Sequence, residues 1–267
     1  MKVLVTGAAG VVGSVAVQRL REEGHEVVGV DTKGEGVHQC STTDFEELKR
    51  IVVENKPAAI VHLVAVSFIH GIDQQDVFRI NTTSVYNVLT LAEEFHIERV
   101  VVASSINAIG AILSKTKRFK YFPVDEDHPL EPEDSYSLSK QVGENIADAF
   151  ARRNSWMSIV SLRFHAVLDD KSQALPQAEK MGNDISGDLW GYVLKPYAIG
   201  SILKALGVTW KGHKAFFIVA PDNAVDKPSH ELYQTYFPHV TLKQPLTGTQ
   251  GFFNCEKAKR LLNWEHP

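Results

Sequence analysis

Tyr136 and Lys140 stand four residues apart in Ser135-Tyr-Ser-Leu-Ser-Lys140, where a helical stretch begins, so phenol and ammonium share one helix face. A phenol with a pKa of about 10 is a poor base at neutral pH, but a neighbouring cation favours its phenolate. Tyr136 then becomes a usable general acid and base. A second piece of chemistry closes the apolar run Val100-Val-Val-Ala-Ser-Ser-Ile-Asn-Ala-Ile-Gly110, which ends in Ser104 and Ser105. In an open parallel sheet ligands bind at the carboxyl ends of strands, and a hydroxyl there can hydrogen-bond a substrate oxygen as it gains or loses a proton. Singly, the Tyr/Lys pair reads as an ordinary surface pair and the serines as a strand end entering a turn.

The elements that must position these groups begin at the first residues. Lys2-Val-Leu-Val-Thr-Gly-Ala-Ala-Gly-Val-Val-Gly-Ser14 runs a short apolar strand into Gly7, Gly10 and Gly13, spaced three apart, and Asp31 closes the next strand. Glycine is needed at the tight turn (Gly7), where backbone approaches a pyrophosphate (Gly10), and where the following helix packs on the sheet (Gly13). A carboxylate 24 residues past Gly7 can accept hydrogen bonds from an adenosine ribose. Asp31 repels a 2'-phosphate, and Thr32 and Lys33 supply no arginine to hold one, so NAD is favoured over NADP.

Strands are expected at 2–6, 26–30, 58–63, 98–104, 157–163 and 215–219, with helices at 11–23, 44–55, 76–95, 135–153, 195–206, 231–236 and 256–262. Val77, Ile80, Ser84, Val88, Leu91, Ala92 and Phe95 repeat at helical spacing and form one face. Thr43 or Asp44 caps the second helix. Residues 111–135 read as a long surface loop of the kind that faces a substrate, and 169–188 as polar and loop-like. The fold class is α/β, a doubly wound parallel sheet of Rossmann type. A nucleotide-binding domain over 1–165 is followed by a smaller, partly interleaved substrate lobe over 166–267.

At 267 residues with a net charge of -4 the chain carries no broad electrostatic footprint for nucleic acid, and the basic run Lys115–Lys120 reads as a solvated loop. Cys40 and Cys255 form neither a disulfide framework nor a zinc spacing, so no metal is expected. A reducing cytoplasm fits. The first strand leaves no room for a cleavable signal, and no apolar run has membrane-spanning length.

Thr6-Gly-Ala-Ala-Gly-Val-Val-Gly13, Val61-His-Leu-Val-Ala65, Asn81, Ser104-Ser105, Tyr136-Ser-Leu-Ser-Lys140 and Leu162-Arg-Phe164 together resemble the extended short-chain dehydrogenase/reductases, the NAD-dependent epimerase/dehydratase family. The resemblance covers residues 1–164 well and the rest loosely. It implies Tyr136 as acid/base, Lys140 as tuner of Tyr136 and ligand of the nicotinamide ribose, and Ser105 as orienting hydroxyl. It further implies Gly7, Gly10, Val11, Val12 and Gly13 at the pyrophosphate, Asp31 at the adenosine ribose and Leu63, Val64 and Ala65 as the cofactor's wall. Asn81, Ala103, Ser104 and Phe164 complete the expected cofactor set, with satisfaction of buried backbone groups as the alternative role of Asn81.

The chain departs from the family pattern at Ser41, where an aspartate is frequent, at Ile109, in the place of a tyrosine, and at Ala166, in the place of an asparagine. Those departures turn the expectation toward a smaller hydroxylated or acidic substrate, contacted by Ser105, Asn107 and His165. A lone histidine at a strand end has a structural role as its alternative reading. Ser104-Ser-Ile-Asn107 is similar to the uronate dehydrogenases of this group. The expected activity is NAD-dependent oxidation or epimerisation at a hydroxyl of a sugar or sugar acid. The alternatives are a UDP-sugar 4-epimerase or dehydratase and a non-catalytic NAD-binding sensor. The resemblance also permits a homodimer through the 76–95 and 135–153 helices.

Overall fold

The computed structural model describes residues 1–67, 71–110, 113–175 and 185–267. Parts of the two expected loops, 111–112 and 176–184, lie outside the described residues. Eleven strands are β1 (Lys2–Thr6), β2 (Glu26–Asp31), β3 (His38–Gln39), β4 (Ala59–His62), β5 (Arg99–Ser105), β6 (Tyr121–Phe122), β7 (Ser158–Phe164), β8 (Val167–Leu168), β9 (Val193–Leu194), β10 (Gly212–Ile218) and β11 (Thr241–Leu242) among the described residues. The helices are α1 (Val11–Glu22), α2 (Phe45–Asn55), α3 (Gln74–Glu94), α4 (Ser135–Arg153), α5 (Lys195–Leu206), α6 (Ser229–Tyr236) and α7 (Glu256–Leu262).

Seven strands form one parallel sheet in the order β10-β7-β5-β4-β1-β2-β3. Its central strands are apolar throughout because both faces are covered: Val3, Leu4 and Val5 of β1 are fully buried. Val3 and Val5 pack with α1, α5 and α7, while Leu4 packs with α2, α3 and α4 on the opposite face. Each such side chain contributes roughly 1.5–3 kcal/mol on burial, so this alternation fixes which helices lie on which face. Strand order reverses between β1 and β4, and the crevice outside the carboxyl ends of these two strands is the switch point at which α/β sheets bind ligands.

Beyond that edge of the sheet a third apolar cluster gathers Ile106, Phe119, Phe122, Trp190, Phe237, Phe252 and Phe253 around Phe217 of β10. β6 and β11 pair in parallel within this region. Their two-residue length carries no periodicity, which is why they were absent from the expected elements.

Asp44 caps α2 by accepting the Glu47 N–H at 3.1 Å. α3 starts two residues earlier than expected because the Asp73 carboxylate accepts the Gln75 N–H. Its buried face is Val77, Asn81, Ser84, Val85, Val88, Leu89, Leu91 and Ala92, whereas Phe95 is an exposed C-cap. β10 begins at Gly212 rather than 215, because the polar His213 is satisfied on both ring nitrogens, by Asp148 and Ser161. The basic run is tied down: Arg118 pairs with Glu133 and Lys120 with Glu131. No helix among the described residues is long and apolar enough to cross a membrane.

Candidate active site

The glycine turn lies at the switch point. Gly7 has φ +74°, in the left-handed region, and a Cβ there would meet Leu63 C and Val64 N at 3.0 Å. A Cβ on Gly13 would stand 1.9 Å from the Gly7 carbonyl oxygen, so α1 packs on the turn only as glycine allows. Gly10 caps α1 with no side-chain hydrogen bond, which leaves the first-turn amides beside Val11 and Val12 free of a competing side chain. Asp31 ends β2, and its carboxylate accepts the Ala9 N–H at 2.9 Å and the Thr32 N–H at 2.7 Å. These bonds hold the carboxylate against the glycine turn. The residues therefore fit an adenine dinucleotide: a cradle that a Cβ would fill, an uncapped helix N-terminus and a fixed acid.

Thr6 and His62, at the ends of β1 and β4, are joined beneath this crevice by a 2.7 Å bond from Thr6 Oγ1 to His62 Nδ1. Burial drives the imidazole down to about 3, helped by the nearby Lys140 charge, so it is neutral. Past β4, Leu63, Val64 and Ala65 lead to Val66, whose N–H and C=O are both held by Asn81 at 2.9 and 3.0 Å. The Asn81 amide also donates to Ser139 Oγ, which donates to the Tyr136 carbonyl. Asn81 thus meets buried backbone groups, and in doing so links the crevice wall to the first turn of α4.

That first turn, capped by Asp134 accepting the Ser137 N–H, carries Tyr136 and Lys140 toward the carboxyl end of β5. Lys140 Nζ donates to the Ala103 carbonyl at 2.7 Å and lies 5.5 Å from the Tyr136 ring centroid. The Ser105 hydroxyl lowers the Tyr136 phenol's pKa and accepts the Asn107 N–H at 3.1 Å. Lys140 and Tyr136 share the first turns of α4 beside the carboxyl end of β5, which Ser105 closes. The electrostatics differ from expectation. Burial raises the Tyr136 phenol above its ordinary value, the Ser105 hydroxyl only partly offsets this, and Asp134 adds to the rise. Burial also pulls Lys140 down to about 8 against the pull of Glu144. The expected depression of Tyr136 by Lys140 does not figure among the causes of its shift, which desolvation dominates.

On the far side of the sheet's edge, Asn107 lies in the turn 106–109, and its Oδ1 is a buried acceptor with no partner among the described residues. His165 differs. Its Nδ1 accepts the Ala166 N–H at 2.7 Å and its Nε2 donates to the Asp188 carbonyl at 2.9 Å, while burial takes it down to about 4. Both ring nitrogens serve backbone, which is the structural role rather than the substrate contact. Phe164 is buried at the end of β7, opposite Ser105 of β5.

Sequence reasoning missed a buried charge cluster under this site. Arg163 donates to both Glu144 oxygens at 2.9 and 2.7 Å, and Ser104 Oγ donates to the same carboxylate at 2.6 Å. The signal available was the spacing of Glu144, one turn beyond Lys140 on the same helix face.

The model of the NAD dependent epimerase/dehydratase family matches residues 3–169. A UDP-glucose 4-epimerase from Mycolicibacterium smegmatis is 32% identical over 159 residues, covering 54% of this chain and 49% of that protein. A uronate dehydrogenase from Pseudomonas syringae pv. tomato is 28% identical over 170 residues, covering 61% of this chain and 58% of that protein. The chain spans about half the length of the curated relatives it matches. Among solved structures, a short-chain dehydrogenase/reductase superfamily protein from Agrobacterium tumefaciens with bound NAD superposes with a TM-score of 0.76 at 22% identity. It covers 100% of this chain and 93% of that one. The UDP-glucose 4-epimerase of Thermotoga maritima with UDP-glucose gives 0.74 at 22% identity, covering 99% and 93%. With the glycine turn at the switch point and the family model spanning six of the seven strands of the sheet, this chain belongs to the NAD dependent epimerase/dehydratase family.

Proposed function

We propose that this chain is an NAD-dependent oxidoreductase or epimerase acting on a hydroxyl of a sugar or sugar acid through Ser105, Tyr136 and Lys140. The observation that carries the reading is the cluster at the carboxyl end of β5: Lys140 beside the Tyr136 ring and anchored on the Ala103 carbonyl, with Ser105 closing the same strand. NAD, when bound, supplies the acceptor for a hydride and a positive ring that favours the phenolate.

Tyr136 takes the proton of the substrate hydroxyl as the carbon beneath it is oxidised to a carbonyl, and returns it in the reverse direction. Ser105 holds that oxygen, since its hydroxyl already accepts from Asn107 N–H and keeps its proton for the reacting oxygens. Lys140 keeps a positive charge beside the phenol. Gly7, Gly10 and Gly13 let backbone amides approach the pyrophosphate, Asp31 takes the adenosine ribose and Leu63–Ala65 line the crevice. Asn107 offers an unsatisfied acceptor to a substrate hydroxyl. The part of the chain after residue 166, apart from β10 in the sheet and α5 and α7 packed on it, forms the substrate side.

Tyr136→Phe tests the reading. In a panel of sugars and sugar acids, followed by reduced-nicotinamide absorbance and product stereochemistry, turnover falls by a factor of about 10²–10⁴ while NAD affinity stays within about threefold. Full turnover in Tyr136→Phe contradicts the mechanism, and NAD binding with no turnover in the parent chain favours the sensor reading.

A further inference from the structure

Five side chains of alternating charge run from the last helix to Lys140. Lys257 on α7 and Arg163 both act electrostatically on Glu126, Arg163 is paired with Glu144, and Glu144 acts electrostatically on Lys140. The Arg163–Glu144 pair has side chains only 4% and 6% exposed. A buried pair of this kind costs several kcal/mol of desolvation per ion and is weak evidence for stability, so its position asks for another account.

That position is specific. Lys140 and Glu144, one turn apart on α4, seize two adjacent residues of β5: Nζ holds the Ala103 carbonyl and Oε1 holds the Ser104 hydroxyl. Both residues line one small cavity of about 10 Å³. Neutral His62 from β4 and Tyr136 and Glu144 from α4 stand around Lys140, and Ser104 of β5 and Ser161 of β7 line the same cavity. Of these, Glu144 is the charge that opposes the burial of the ammonium. With Lys140 brought down to about 8, its charged form at pH 7 outweighs the amine only about tenfold.

We infer that Glu144, fixed by Arg163 and Ser104, is a positioning residue that keeps Lys140 charged and seated on the Ala103 carbonyl. This rests on the reading of Lys140 as the partner of Tyr136.

The test reads Lys140 directly, through the pH titration of its ¹³Cε resonance in lysine-labelled protein with and without NAD. Glu144→Gln lowers the Lys140 midpoint by about one pH unit or more, and Glu144→Asp, which keeps the charge, restores most of it. The alkaline limb of the kcat profile moves down by the same amount. Where Glu144→Gln does not fold, the double variant Glu144→Gln/Arg163→Met removes the buried ion pair as a unit, and its midpoint falls in the same direction. A Lys140 midpoint unchanged in the folded single or double variant overturns the inference. Because the titration needs no substrate, failure to turn over any sugar would strike the proposed function and leave this result standing.

Discussion

At the scale of single residues, the site spends stability to hold reactive groups in unfavourable states. Lys140 is buried at 7% exposure, and its charged form is disfavoured enough to bring it from 10.5 to about 8. Its folded value is below its unfolded one, so the unfolded chain binds more protons between about pH 8 and 10.5. The cost to folding is full below pH 8 and is relieved as pH rises through that window. Lys140→Met removes the charge at similar length. We expect it to raise unfolding free energy at pH 7, with an upper bound on the order of 3 kcal/mol, and to show no gain by pH 10.5. Activity moves the opposite way, falling by a factor of about 10² or more. Urea unfolding at pH 7 and pH 10, beside turnover at pH 7, checks both signs; a loss of stability at pH 7 contradicts the account.

At the scale of elements, the turn between β1 and α1 has the least latitude. Gly13→Ala places Cβ 1.9 Å from the Gly7 carbonyl oxygen, which is backbone and cannot step aside, whereas Gly10→Ala meets the same atom at 3.2 Å. Gly13→Ala is expected to cost about 3 kcal/mol and to weaken NAD binding more than tenfold, with Gly10→Ala milder in stability. Denaturant midpoints and an NAD titration of the two variants check the ranking. This turn, α4 and the strand ends were legible in the sequence because each is a local pattern: glycines three apart, Tyr136 and Lys140 one turn apart, serines closing an apolar run. What was not legible depended on partners distant in the chain. His165 read either as a contact or as a structural histidine, because nothing in the sequence tells that Ala166 N–H and the Asp188 carbonyl occupy its ring. Arg163 read as part of a family motif, with no sign that its guanidinium closes on Glu144 from a neighbouring strand. Likewise, the rise of Tyr136 came from how deeply α4 and β5 bury it, which spacing does not encode.

For the whole molecule, the sheet is closed by imidazoles that are buried without a carboxylate partner. His62 lies under the switch point between β1 and β4, and His165 locks the end of β7 to the turn at 185–188. Burial holds them at about 3 and about 4, against 6.5 for an ordinary histidine. His128 and His266 are lowered in the same way. Each folded value lies below the unfolded one, so the unfolded chain takes up protons first, and stability falls as pH drops below 6.5. Carboxylates held low, such as Asp125 and Asp222, do not titrate until below about pH 4, while Glu126, pushed up by burial, opposes the loss by at most one proton. Between pH 6 and 5 the unfolding free energy is therefore expected to fall by about 2–3 kcal/mol per pH unit from His62 and His165 alone. Equilibrium unfolding in urea at pH 7, 6 and 5 measures the slope. In His165→Gln it should lessen by about 1.4 kcal/mol per unit. A chain whose stability is flat from pH 7 to 5 would mean that these imidazoles are solvated on a scale incompatible with the sheet end they occupy.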